Sequence, residues 1–303
     1  MKSILISPLS KPYPVLLKSL LAKELKERGI YSLFIGHEKP SLQTLAVKML
    51  IKGYGIVKGE REGNVVAEEE GIKLLKGLGT EKTGFIFKKG GENVIKNPPT
   101  SPKIVIDMGL FNELNEEEKK KTLVQLQMTL NTIRKFWWDG NLVIVDDFKL
   151  GKAVNVKNPQ FEGKGIVLDP YGEIVADEGI IRASEIFIIG GIVDKGRRLK
   201  MATKRLAEIR GYNFPRVKIT LRGSTVGVPD EINKIAEIII RVKEGEGLEE
   251  AIIKTQSKAD KVARILYDVH RFGESVLEEE LKWLNADKKV ENLVKARLGN
   301  TRS

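Results

Sequence analysis

No cysteine occurs among the 303 residues. That excludes disulfides, thiolate nucleophiles and cysteine-ligated zinc together. It also suits a reducing compartment, so a cytoplasmic protein is expected. Histidine is nearly as scarce, with only His37 and His270 present. Two distant histidines give no basis for a histidine-built metal centre or a Ser-His-Asp triad, and no metal is expected. No apolar run is long enough to span a bilayer. The opening residues "MKSILISPLSKPYP" are broken by proline too early for a signal-peptide core. A soluble protein without membrane attachment is expected.

Apolar residues are nevertheless 41% of the chain, enough to build a core. The length suits about two domains. Charged residues reach 31%, a profile that leans towards thermophilic proteins. The net charge is +11, and its location matters more than its size. Between Arg197 and Arg222 nine basic residues face one acid, Glu208, which is +8 in 26 residues. Such a concentrated field points to a polyanion, most often nucleic acid. A solvated helix face is the competing explanation.

Residues 1–99 read as a small α/β module. "PVLLKSLLAKELKERG" is a helix ending at Gly29, and "IYSLFIG" is a strand. "SLQTLAVKMLIKG" is a second helix with Ser41 as N-cap. "GYGIVKG", "NVVAEE" and "TGFIFKKG" read as three short β-segments. Surface lysines here serve RNA or only solubility. "IKNPPTSPK", with three prolines in nine residues, marks a domain boundary near residue 100.

An alternating pattern follows over 100–244. "KIVID", "GNLVIVD", "KGIVLDP", "EIFIIGG" and "RVKITL" are strands. "NEEEKKKTLVQLQMTLNTIRKF" is a helix opened by an Asn115–Glu118 capping box. "RLKMATKRLAEIRG" is a helix with Leu199, Ala202, Leu206 and Ile209 on its apolar face. "PDEINKIAEIIIRVKEG" begins at Pro229, with Asp230 at the positive end of the helix. Continuous apolar strands between helices predict a mostly parallel sheet covered on both faces. Residues 245–303 carry only helical patterns and read as a helical C-terminal domain.

Ligands of a parallel sheet sit beyond the carboxyl ends of its strands. Asp107, Asp146, Asp147, Asp169 and the pair Gly190-Gly191 fall there. Neither G-x-G-x-x-G nor a G-K-[ST] phosphate loop occurs. "GGIVDKG" and "LRGSTVGVP" remain as two glycine-rich loops after strands. They suit an adenosine held by backbone groups, and plain turns would look the same locally. Trp137, Trp138, Tyr171 and Phe214 are candidate base-stacking residues, with core packing as the alternative.

"GIVLDPYGE", "FIIGGIVDKGRR" and "RVKITLRGSTVGVPDEINKIAEII", with "KIVIDMGLFNELNEEEKKKTLVQLQ" upstream, resemble the tRNA position-9 purine N1-methyltransferase family, archaeal branch. That family belongs to the SPOUT superfamily of knotted methyltransferases. The resemblance covers roughly residues 100–243. It implies an α/β SPOUT domain with a C-terminal trefoil knot, S-adenosyl-L-methionine as methyl donor, tRNA as partner and a monomer. It implies three cofactor loops. Leu168, Asp169 and Pro170 form the first, and Gly190, Gly191, Asp194, Lys195, Gly196, Arg197 and Arg198 the second. Ile219, Leu221, Thr225, Val226, Gly227 and Val228 form the third. Asp194, Asp107 and Gln125 fall on catalytic positions. Arg197, Arg198, Lys200, Lys204, Arg205, Arg210 and Arg222 would hold the tRNA backbone.

Adenine at position 9 is the favoured target. Guanine or both purines, another RNA substrate, and a non-catalytic RNA-binding protein on the same fold are the alternatives. Guanine N1 carries a proton at neutral pH and needs a base. Adenine N1 presents a lone pair, so orientation matters more.

Overall fold

The computed structural model describes residues 16–192 and 201–300. The first unit contains α1 (Leu17–Glu27), β1 (Ser32–Phe34), α2 (Leu42–Lys52), β2 (Tyr54–Glu69) and β3 (Ile72–Lys89). Leu21, Leu25, Leu33, Leu42, Leu45 and Leu74 form its core. Instead of three short β-segments, β2 and β3 make one long antiparallel hairpin, with β1 parallel on the far side of β3. Glycines and charges interrupt the apolar alternation, yet the backbone ladder runs through them. At one crossing a Cβ on Gly79 would lie 2.3 Å from the Gly63 carbonyl carbon, so the strands approach too closely there for a side chain. Ser41 occupies the α2 N-cap but makes no side-chain cap; Glu69 of β2 accepts from the Leu42 N–H instead, at 2.9 Å.

The second unit is a seven-stranded sheet. Its strands are β4 (Lys103–Asp107), β5 (Leu142–Val145), β6 (Val154–Val156), β7 (Gly165–Leu168), β8 (Ile174–Val175), β9 (Ile186–Gly190) and β10 (Arg216–Lys218). Their spatial order is β6-β5-β4-β9-β7-β10-β8, and every pairing is parallel. The short edge strands β6 and β8 add to the five strands expected.

Side-chain alternation sends Ile104, Ile106, Ile144 and Ile189 to one face and Val105, Val143, Val167 and Ile188 to the other. The first face packs on α3 (Glu116–Phe136) and α6 (Ile232–Lys243). The expected capping box opens α3, with Asn115 and Glu118 each accepting from the other's backbone N–H at 2.9 Å. The second face takes Ala207 of α5 (Ala202–Arg210). On α5, Leu206 and Ala207 are buried, whereas Ile209 is 61% exposed. Leu199 lies outside the described residues, and over the described part the apolar stripe is shifted from the one expected. Between the sheet strands, α4 (Glu178–Ala183) precedes β9.

The last helices are α7 (Leu248–Thr255), α8 (Lys258–Phe272), α9 (Leu277–Trp283) and α10 (Lys288–Asn300). Val262, Ile265, Leu281, Leu284 and Val294 belong to the same hydrophobic cluster as α3, α6 and the sheet. The first unit is joined through α2, where Gln43 Nε2 donates to the carbonyls of Trp137 (2.7 Å) and Arg134 (3.1 Å). Trp137 lies in the core and Trp138 packs against the first unit, so both tryptophans serve packing.

Candidate cofactor and RNA site

Strands β9, β7 and β10 are adjacent and parallel, so their carboxyl ends open at one edge of the sheet. Leu168 pairs with Ile189 on one side and Val217 on the other. This register brings to neighbouring strand ends the starts of the three segments expected to hold a cofactor, 168–170, 190–198 and 219–228, of which the second is described over 190–192. β10 lies beyond β7, although β9 precedes it in the chain. Such a change in strand order leaves a crevice at the carboxyl edge.

The second glycine of the pair has a steric reason. A Cβ on Gly191 would stand 2.3 Å from Met108 Sδ and 3.0 Å from the Asp107 carbonyl oxygen. The Gly191 N–H donates to that same oxygen at 2.7 Å. The backbone leaving β9 thus runs on alongside the end of β4, where no side chain fits at residue 191. Asp194, Lys195, Gly196, Arg197, Arg198 and Lys200 lie outside the described residues.

The third loop is a compact turn. Leu221 and Ser224 exchange backbone hydrogen bonds at 2.7 and 3.1 Å. Ser224 Oγ accepts from the Val226 N–H at 3.1 Å, and the Val228 N–H donates to the Thr225 carbonyl at 3.1 Å. Gly227 has φ +83°, a conformation side chains rarely adopt. Ile219 and Leu221 are buried and Thr225 is exposed.

Asp169 does not present a free carboxylate. It accepts from the Tyr171 N–H at 2.9 Å and from Arg216 Nη1 at 2.7 Å. Leu168 is buried beside it, and Pro170 is exposed. The donor set fits an adenosyl group better than a phosphate. It offers apolar Leu168, Ile219, Leu221 and Val228 with main-chain polar groups, while the neighbouring cation Arg216 is already paired.

Asp107 is wholly buried at the end of β4. Its carboxylate accepts from Arg210 Nε and Nη2, the Tyr212 hydroxyl and the Gly109 N–H. Arg210 also donates to Asp146, a residue with φ 80° at the end of β5. Burial works against the Arg210 charge, but the two carboxylates outweigh it and hold its pKa above the ordinary value. Gln125, on α3, is half-buried, and its Oε1 accepts from the Ile232 N–H at 2.9 Å. It caps α6, which begins three residues after Pro229 with Glu231 at its N-cap. Asp230 therefore lies before the helix, outside its first turn.

Most of the described basic residues between Arg197 and Arg222 have acidic partners, and all of these partners but Glu208 come from elsewhere in the chain. Arg205 is exposed and doubly bonded to Glu113, at 2.7 and 2.8 Å. Lys204 lies 3.9 Å from Glu208. Arg222 stacks 3.6 Å from the centre of the Trp283 ring, with Glu249 at 3.6 Å and Glu280 at 4.0 Å. Arg210 is only 17% exposed and turned inward, which removes it from the surface charge. Tyr171 is exposed near the site, while Phe214 packs over Gly165. Among the described residues, no group of three His, Asp or Glu side chains is placed to hold a metal, and no helix is long and apolar enough to cross a membrane.

The parallel sheet and its likeness to a solved relative place the domain in a class: an α/β methyltransferase domain of the SPOUT type. Residues 15–88 match the N-terminal domain, and residues 257–297 the C-terminal domain, of tRNA (adenine(9)-N1)-methyltransferase. The tRNA (adenine(9)-N1)-methyltransferase of Sulfolobus acidocaldarius is 56% identical over 288 residues, 93% of this chain and 99% of that protein. A crystal structure of Sulfolobus acidocaldarius Trm10 with S-adenosylhomocysteine superposes with a TM-score of 0.86 at 52% identity, covering 93% of this chain and 99% of that one. The tRNA (guanine(9)-/adenine(9)-N1)-methyltransferase of Thermococcus kodakarensis is 27% identical over 79% of this chain and 73% of its own length. The chain belongs to the tRNA (adenine(9)-N1)-methyltransferase family.

Proposed function

We propose that this protein methylates N1 of the adenine at position 9 of tRNA, with S-adenosylmethionine as donor. The convergence of the three loops on β9, β7 and β10 carries this reading, in a chain 56% identical to an enzyme of that name. S-adenosylmethionine supplies the electrophilic methyl group. The protein holds it through the loops at 168–170, 190–198 and 219–228, where apolar side chains and backbone groups exclude water. Adenine N1 already carries a lone pair, so the protein's task is orientation more than proton removal. Asp194 accepts a hydrogen bond from the adenine amino group and balances the charge of the methylated ring. Asp107 holds Arg210 and the end of α5. Arg197, Arg198 and Lys200, with Lys204, face the tRNA backbone. Neutralising phosphates there offsets the cost of drawing the purine from its stack. The enzyme works as a monomer in the cytoplasm.

Labelled donor and two transcripts of one tRNA, carrying A9 or G9, test the proposal. Methyl transfer to N1 of A9 and little to G9 is expected. Equal transfer to both would make the enzyme dual-specific like the Thermococcus relative, and no transfer to either would sink the reading.

A further inference from the structure

The third loop is held from outside by the last helices. Arg264 of α8 is 3% exposed, yet its Nη1 donates to the carbonyls of Leu221 and Val226. Its Nε donates to Asp268 one turn along the helix, which fixes the plane of the guanidinium. Gln256, at the junction of α7 and α8, donates Nε2 to the Gly227 carbonyl at 2.8 Å. Three carbonyls within seven loop residues are thus held by two side chains from α7–α8. Steric fit points the same way. A Cβ on Gly227 would lie 2.6 Å from Arg264 Cβ, so the loop closes over the arginine stem only because residue 227 is glycine.

We infer that Arg264, oriented by Asp268, and Gln256 are positioning residues for S-adenosylmethionine: they fix the backbone of the 221–227 loop from the C-terminal helices. The inference rests on the proposed reading of that loop as part of the cofactor site. Neither residue touches cofactor or purine. Their work is to immobilise the loop before binding, so that its ordering is not subtracted from affinity. A buried arginine is suited to this, because its fork satisfies several carbonyls at fixed geometry where a lysine offers one point charge. The C-terminal helices therefore act on the cofactor, and their contribution need not involve RNA.

The test uses the full chain and calorimetry with S-adenosylhomocysteine, alongside steady-state kinetics and thermal melting. Gln256→Leu and Arg264→Met are each expected to weaken the ligand about ten-fold. Each should raise KM for S-adenosylmethionine by a similar factor, with kcat at saturation and tRNA affinity little changed. Arg264→Lys should recover part of the loss. If Arg264→Met does not fold, Gln256→Leu decides, since it sits at the edge of the core. Thr225→Trp, an exposed change in the loop itself, separates the two readings. If it abolishes ligand binding while folded Gln256→Leu and Arg264→Met bind normally, the positioning role is overturned and the loop reading stands. If it leaves binding intact, the loop is not part of the cofactor site and both fall.

Discussion

Arg210 reaches Asp107 through two nitrogens, Nε and Nη2, each 3.1 Å from a carboxylate oxygen. The pair joins the end of α5 to the end of β4, where the Asp107 carbonyl accepts from the Gly191 N–H. Asp107 is fully buried, so removing its partner leaves an uncompensated charge. Arg210→Ala is expected to lose about 3–5 kcal/mol of stability, the usual cost of breaking a buried pair from one side. Urea unfolding measures it. A loss below about 1 kcal/mol, as for an exposed pair, would show that water reaches the network.

Tyr212 adds a second side chain that donates to Asp107. Burial, then the hydrogen bond to Asp107, pushes its phenol well above the ordinary value of 10.0. A raised folded-state pKa gives stability that is fully present below the unfolded value. It is lost as pH rises through the higher folded value. Tyr212→Phe should cost about 1.5–3 kcal/mol at neutral pH, since the acceptor is charged. The wild type should lose stability above about pH 10 more steeply than the variant. Thermal melts from neutral to strongly alkaline pH compare the two, and parallel alkaline limbs would contradict the assignment.

Gln125 has a visible duty and a proposed one. Its Oε1 caps α6, and the family resemblance places it at a catalytic position, where we propose that its amide nitrogen donates to the substrate. Gln125→Ala should lose about 1 kcal/mol of stability through the missing cap. Gln125→Glu keeps an acceptor for the Ile232 N–H but deletes the amide donor. It should hold the melting temperature while methyl transfer falls about ten-fold. Unimpaired turnover in Gln125→Glu would reduce the residue to a helix cap.

The central sheet was legible because its strands are continuous apolar runs ended by Asp or Gly, and Asn115 with Glu118 announced α3 locally. The sign of the basic segment is legible in the sequence, but its partners are not. A count along the chain sees Glu208 but not Glu113, Asp107, Asp146 or Glu249, which arrive from distant elements. Local sequence carries charge, whereas pairing depends on the fold. Arg264 and Asp268 were hidden for the same reason. Four residues apart on a helix, they look like an ordinary surface pair, and only the tertiary fold buries them against the 221–227 loop.

The role proposed for Asp194 differs between the two purines. In a guanine enzyme a carboxylate beside N1 must take a proton, so its loss removes general-base catalysis, worth about 10²–10⁴ in rate. Adenine N1 has no proton to give. There Asp194 is proposed only to accept from the amino group and to balance the charge of the product. Asn keeps a carbonyl acceptor but no charge. Asp194→Asn should therefore lower kcat on an A9 transcript by about ten-fold, the scale of one charge-assisted hydrogen bond. The pH–rate profile should keep the shape of the wild type. Single-turnover rates on A9 tRNA across the neutral range measure both quantities. A fall of several orders of magnitude, recovered at high pH, would mean that a proton is removed in the rate-limiting step, and Asp194 would then be a base on either purine.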